Sequence, residues 1–428
     1  MKPVRISLAA LVAVALWAGG GSAQAQENCE GQVMKPGTLI NSQNLDCARQ
    51  MTFHGAKIGD MLTDKVDWQI REWGLEVEVQ DPIAPNRDAR LMEATERYKD
   101  TIKLDPMTRN LVNYKTGVPF PDVDENSEHL ALKIIWNYIY GHPHSDVQDF
   151  NKFAYLLIDG DTGLERKQYW GYVRYWMTGQ IADIDNPTRG DGTVIDKLLL
   201  WAWYPQDIRG LGTFTLRYNT GKLPDTWAYI RTVRRIRRLS GGAWFDPIGG
   251  TDQLNDDIEC FNAHPNWYQD FKLMGKRKVL AVFNSRRPTW KPDASSEDAQ
   301  FPRVDLTEAP FWNVKDRWEP RDVWVVESIP PQEHPYSKKE FYVDAINWRP
   351  VYADMYDKAG AYWKHCHAAA FEFEAEDGYP AMASAWGQVV DFQRRHATIW
   401  NLHDSIRTNP SDVTETDVTL QQLEDQAN

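Results

Sequence analysis

His365, Cys366 and His367 form the one cluster in the chain that combines cysteine with histidine. On a strand, successive side chains point to opposite faces, so the two histidines would share one face and the cysteine would take the other. That division argues against a metal site. No C-x-x-C, H-E-x-x-H, P-loop or G-x-S-x-G pattern occurs, so zinc, nucleotide and serine-nucleophile chemistry lack their usual frames. Asp354, Asp357, Glu372 and Glu374 could serve a two-carboxylate glycan chemistry beside stacking tryptophans. Among 61 acidic residues, such pairings carry little information. No catalytic residue, metal or other cofactor is therefore expected.

Three further sets could bind without reacting. Asp207, Arg209 and Gly210 read as a turn in which Asp and Arg pair or cap backbone groups and Gly permits positive φ. Such a set more often fixes a hairpin than touches a ligand. Arg231, Arg234, Arg235, Arg237 and Arg238 are the basic cluster of an acidic chain. On a strand Arg235 and Arg237 share one face, Arg234 and Arg238 the other. Their guanidinium groups suit lipid phosphates, carboxylates or an acidic surface, or the chain's own surplus acids. The third set is aromatic, in a chain with 19 Trp, 18 Tyr and 15 Phe. Trp201, Trp203, Tyr218, Trp227, Tyr229, Trp324, Phe341, Trp348, Tyr352 and Trp363 fall on or beside predicted strands. In a curved sheet one alternate set would line a ligand cavity. Sequence does not say which face is inward.

The elements that would position these groups are mostly strands. Helices are predicted over Asp88–Asp100 and Asn126–Tyr140, where apolar residues recur at helical spacing. Strands are predicted over 153–158, 167–177, 197–204, 212–218, 227–230, 235–239, 322–329, 340–344, 348–356 and 361–374. Strands in succession with few helices point to an α+β fold: a large curved antiparallel sheet, an incomplete barrel closed by helices. Residues 26–115 read as an irregular extension, with one strand near Trp73–Val79. Residues 405–428 read as a loose acidic tail.

The N-terminus reads as an export signal. Lys2 and Arg5 precede an apolar run from Ile6 to Ala18, and Ala23-Gln24-Ala25 supplies the small-residue cleavage site. Cleavage after Ala25 leaves 46 basic against 61 acidic residues, a net of −15, which repels nucleic acid. No cysteine follows the small residues directly, so the expected product is a soluble periplasmic domain, 26–404, without a lipid anchor. The cysteines, Cys29, Cys47, Cys260 and Cys366, are even in number, which in an oxidising compartment suggests two disulfides. Three pairings are possible; Cys29–Cys47 with Cys260–Cys366 is favoured.

Tyr204-Pro205-Gln206-Asp207-Ile208-Arg209-Gly210, continuing through Trp227-Ala228-Tyr229-Ile230 into Arg234–Arg238, resembles a pattern of LolA-like lipoprotein-sorting proteins. Gly117–Pro121, Trp136-Asn137, Trp324–Glu327, Phe341–Asp344, Trp348 and Asp354–Asp357 extend the likeness. The whole resembles a periplasmic family, domain of unknown function 1329, whose members look like LolA/LolB relatives. Where that pattern often places proline after W-x-Y, this chain reads Ile230-Arg231-Thr232-Val233. The resemblance implies an incomplete barrel with an apolar cavity and a carrier of lipid or another hydrophobic molecule. It also implies a supplier such as a resistance-nodulation-type inner-membrane exporter and an acceptor at the outer membrane. A glycan-active protein and a structural adaptor of the envelope are the rival expectations.

Overall fold

The structure, a computed structural model, describes residues 28–141, 145–230, 234–286, 291, 293–402 and 406–427. The export signal expected at 1–25 and Arg231 lie outside the described residues. The N-terminal part holds β1 (Leu39–Ile40), α1 (Leu45–Ala48), β2 (Thr52–Phe53), β3 (Ala56–Lys57), α2 (Ile58–Met61), α3 (Asp64–Trp73) and β4 (Val77–Val79). Next come α4 (Ala89–Tyr98), β5 (Lys103–Leu104), β6 (Leu111–Val112) and α5 (Leu130–Gly141). Then follow β7 (Val147–Asp159), β8 (Gly163–Trp176), β9 (Val194–Tyr204), β10 (Gly212–Tyr218), β11 (Asp225–Ile230) and β12 (Arg235–Arg238). Three short 3-10 turns lead to β13 (Asp270–Ala281), α6 (Glu297–Gln300), β14 (Arg317–Ile329), β15 (Lys338–Asp344) and β16 (Pro350–Tyr356). The chain finishes with β17 (Tyr362–Glu374), β18 (Pro380–Asp391), β19 (His396–Leu402), β20 (Ile406–Thr408) and α7 (Leu420–Ala427).

Sixteen strands form one curved sheet in the order β1-β4-β14-β15-β16-β17-β18-β19-β7-β8-β9-β10-β11-β12, with β13 on β14 and β20 on β7. Every pair is antiparallel except β4–β14. Among the described residues the sheet does not close on itself: β12 is a free edge at one end and β1 stands at the other. This is the expected large, open, largely antiparallel sheet with few helices.

The 3-10 turns Gly241–Phe245, Asn255–Cys260 and Pro265–Trp267 belong to a segment, 241–268, that packs on one face of the sheet, called here the inner face. Cys260–Cys366 ties this segment to β17, and Cys29–Cys47 closes the N-terminal loop, the favoured pairing. α5 lies in the same layer: the Tyr138 hydroxyl donates to the Phe261 carbonyl at 2.5 Å. It is buried all round except at Lys133, and is therefore a core helix, not the one-sided amphipathic helix that its apolar stripe suggests.

The stretches 28–85 and 406–427 hold more regular structure than expected. α3 forms inside the stretch read as irregular because its termini are chemically specified. The Thr63 hydroxyl accepts from the Val66 N–H at 3.1 Å, acids fill the first turn, and Gly74 ends the helix at φ 65°. The strand expected from Trp73 is shortened to Val77–Val79 for the same reason. At the C-terminus the expected loose tail is corrected. β20 pairs with β7, and α7 packs on β9, β10 and β11, burying Val418 and Leu423 completely.

Candidate functional site

A cavity of about 230 Å³ lies between the inner face of β9–β11 and the 241–268 segment. Alternation along each strand decides what it sees. Leu198 and Leu200 of β9, Thr213, Thr215 and Arg217 of β10, and Thr226 and Ala228 of β11 face it. Trp170 of β8 and Trp244, Ile248 and Trp267 of the covering segment complete an apolar wall. A smaller cavity, about 50 Å³, shares Leu200 and is lined by Phe150, Phe153, Tyr172, Trp400, Ser384 and Glu259.

Buried charge fixes one wall of the larger cavity. Asp196 is wholly buried and accepts from Arg217 Nε at 3.0 Å and from Nη2. Arg217 Nη1 also donates to the Asn262 carbonyl at 3.1 Å, and Arg174 Nη2 donates to Asn262 Oδ1 at 2.7 Å. Arg217 is thus spoken for by Asp196 and Asn262, which couple β9 and β10 to the covering segment. Close by, His264 is buried against Trp136 and Trp267, and burial pushes its pKa down to about 3. It stays neutral, with Nδ1 accepting from the Asn266 N–H at 3.1 Å.

The aromatic residues singled out from sequence divide between the two faces. Trp201, Trp203, Trp227 and Tyr229 do not line the cavity; they point the other way, into a cluster with Val173, Leu199, Phe214, Val418 and Leu423 beneath α7. Their strand neighbours Leu198, Leu200, Thr226 and Ala228 take the inner face instead. The Tyr218 hydroxyl donates to Asp225 Oδ2 at 2.7 Å. Phe341 meets Phe261 of the covering segment, and Trp324, opposite Val343, shares its face. Trp348 is buried beside Gly141, Tyr352 donates to the Leu280 carbonyl, and Trp363 Nε1 donates to Asp391 Oδ2 at 2.9 Å. None of these five borders either cavity.

The polar sets fare differently. Asp207 is exposed and pairs with Arg166 at 2.5 Å, while Gly210, at φ 80°, donates to the Ala202 carbonyl. Arg209 is exposed, and this turn joins β9 to β10. Arg238 pairs with Asp225, whereas Arg234, Arg235 and Arg237 are exposed at the sheet edge. His365 and His367 do share a face opposite Cys366: His365 Nδ1 lies 2.8 Å from Asp354 and His367 packs on Trp386. Among the described residues no group of three or more His, Cys, Asp or Glu could hold a metal ion. Of the acids considered for glycan chemistry, Glu374 is exposed and the other three have partners within the chain. Asp354 is engaged by His365 and Tyr362, Asp357 holds a turn, and Glu372 accepts from the Asn86 N–H.

Sequence reasoning missed Trp170, Trp244 and Trp267 and, apart from the bridge from Cys260 to Cys366, the covering segment. Its turns have no periodic pattern, and its place depends on contacts distant in sequence.

The model of a family described as a protein of unknown function, DUF1329, matches residues 40–424. An uncharacterized Pseudomonas aeruginosa protein, PA3922, is 26% identical over 298 residues. The match takes in 67% of this chain and 60% of that relative, so the chain covers less than two thirds of the relative's length. Three solved structures are similar in part. A Vibrio parahaemolyticus domain provisionally assigned to outer membrane lipoprotein sorting has a TM-score of 0.47 at 16% identity, over 70% of this chain and 100% of that one. A DUF1329 protein of Desulfovibrio piger gives 0.43 at 16%, over 65% and 92%. A LolA superfamily protein of Nitrosomonas europaea gives 0.37 at 16%, over 68% and 98%.

Proposed function

Since the chain belongs to the DUF1329 family, whose function is unknown, we propose from its own geometry that it is an exported carrier of a hydrophobic or amphipathic molecule. The carrying observation is the cavity between β9–β11 and the 241–268 segment, walled by Trp170, Leu198, Leu200, Trp244 and Trp267. A concave, mostly apolar site with a few fixed polar groups is what a ligand pocket requires. Burial would stabilise the bound molecule by about 25 cal/mol per Å² of apolar surface removed from water. Two disulfides suit an oxidising compartment, which supports export to the periplasm. The cargo would arrive from an inner-membrane exporter of the resistance-nodulation type and leave to an acceptor at the outer membrane.

Native mass spectrometry of protein purified from the periplasm tests this reading. A co-purifying lipid-like mass, lost in Thr226→Trp where the indole fills the cavity, is the expected result. Empty protein that instead retains an oligosaccharide would favour glycan chemistry, and empty protein that retains an envelope partner would favour an adaptor. Either outcome would overturn the carrier.

A further inference from the structure

The cavity reaches the free edge of the sheet along two rows of side chains. Tyr172 stands opposite Leu200, Leu200 opposite Thr213, Thr213 opposite Ala228, and Ala228 opposite Arg237. Directly opposed residues in antiparallel strands share a face with Cβ atoms about 5 Å apart. This row therefore crosses the inner face from the small aromatic cavity, through the larger one, to β12. The second row runs from Leu198 through Thr215 and Thr226 to Leu239, whose N–H donates to the Thr226 carbonyl at 2.8 Å. Leu239 lines the cavity yet is 36% exposed, so it stands at the mouth.

Charge is unbalanced at this mouth. On β12, Arg235 and Arg237 share the inner face, while Ile236 packs in the cluster under α7 and Arg238 pairs with Asp225. Arg235 and Arg237 are exposed, and among the described residues neither has an ion-pair partner. Deeper in, Arg217 is matched by Asp196. Asp246, also exposed, is the acid of the cavity lining, and beside that lining, on the edge strand, stand Arg237, opposite the lining residue Ala228, and Arg235 two residues away. On a chain with a formal charge of −13, this is a local reversal of sign.

We infer that the ligand is an anionic amphiphile whose apolar body lies along these rows and whose carboxylate or phosphate head is held at the open edge by Arg235 and Arg237. The inference rests on reading the cavity as the carrier site. Two residues apart on a strand, the arginines are separated by roughly 7 Å along the backbone, within reach of one head. Guanidinium forks meet carboxylate and phosphate oxygens bidentately. The head remains wet at the rim, so its charge is not stripped of water, and the body supplies the burial.

Trp170, Trp244 and Trp267 in the cavity wall make intrinsic fluorescence a direct readout. Dodecanoate, dodecyl phosphate and dodecanol share one chain and differ in the head. The wild-type protein is expected to bind at least one of the two anions about tenfold more tightly than dodecanol at low salt. The two anions separate a carboxylate from a phosphate source. Arg235→Gln combined with Arg237→Gln, on an exposed edge, is expected to abolish that preference and leave dodecanol binding unchanged. Equal affinity for all three, or a preference that survives the double substitution, overturns the head-group assignment while leaving the cavity as a carrier site. Failure of all three to bind overturns both.

Discussion

The ammonium of Lys339 lies 2.7 Å from a carboxylate oxygen of Asp257 and 3.0 Å from one of Asp256, with all three side chains closed to solvent. Lys339 points inward from β15 and the acids belong to the covering segment, so the cluster fixes the cavity's roof to the sheet. The hydroxyls of Tyr268 and Tyr336 donate to Asp256 and Asp257 at 2.5 and 2.7 Å, and His334 Nε2 lies 3.3 Å from Asp256. Burial by itself would lower the lysine pKa, but the two carboxylates outweigh it and raise it. The lysine is therefore charged throughout the physiological range.

Lys339→Met removes the cation and leaves two buried carboxylates without it. Breaking a buried pair from one side costs about 3–5 kcal/mol. Urea denaturation should show a loss of that order, and cavity ligands should bind more weakly because the roof is released. A loss below about 1 kcal/mol would mean that the cluster does not hold the roof.

His264 predicts a pH dependence with a definite sign. Burial depresses its pKa to about 3, against an ordinary value near 6.5. The unfolded chain takes up a proton as pH falls below that ordinary value, whereas the folded chain does not until much lower. Its contribution to stability is complete above about pH 6.5 and is lost as pH falls toward 3, at up to about 1.4 kcal/mol per unit. His264→Asn keeps an acceptor for the Asn266 N–H and cannot titrate. The variant should be less stable at pH 7 through lost packing, but its deficit should shrink steadily between pH 6 and 4. Parallel stability curves would sink the assignment.

The two disulfides should differ in worth. Cys29 and Cys47 are 18 residues apart, Cys260 and Cys366 are 106 apart. Loop closure restricts the unfolded chain more for the longer loop, about 4.7 against about 3 kcal/mol. Paired Cys→Ala substitutions, compared by denaturant midpoint, should rank in that order. The longer bridge also anchors the covering segment, so its loss should raise hydrogen exchange in 241–268, and loss of the shorter bridge should not.

The strand over 212–218 was legible because one residue in two is apolar, whereas β13, β18 and β19 were not predicted. The faces were not legible, because β9 is buried on both sides: Leu198 and Leu200 look into the cavity, Leu199 and Trp201 into the cluster under α7. An alternation of apolar with apolar carries no sign of inward or outward. Size then misled, since the large tryptophans seemed the better cavity lining and the small Thr226 and Ala228 are what leave room for one. The roof was invisible for another reason. Beyond the Cys260–Cys366 bridge that cysteine parity suggested, its position is written in Asp256 and Asp257, whose partner Lys339 lies far along the chain. The basic edge was visible as a cluster, but only the register opposite Ala228 joins it to the cavity.

The C-terminal helix offers a test that separates the two faces. Val418, Leu420 and Leu423 were a readable apolar spacing within an acidic stretch, and they cover Trp201, Phe214 and Tyr229. Leu423 packs so closely on β10 that a Cβ on Gly212 would come within 2.6 Å of its Cδ1. Leu423→Ala should cost about 2–5 kcal/mol, since the glycine beneath it has no side chain to fill the gap. Truncation before Val418 should expose Trp201, seen as a red shift in fluorescence. Because α7 lies across the sheet from the cavity, Leu423→Ala should leave ligand affinity within about twofold, less than half a kcal/mol. A larger loss of affinity would mean that the two faces are coupled through the strands and that α7 belongs to the binding machinery.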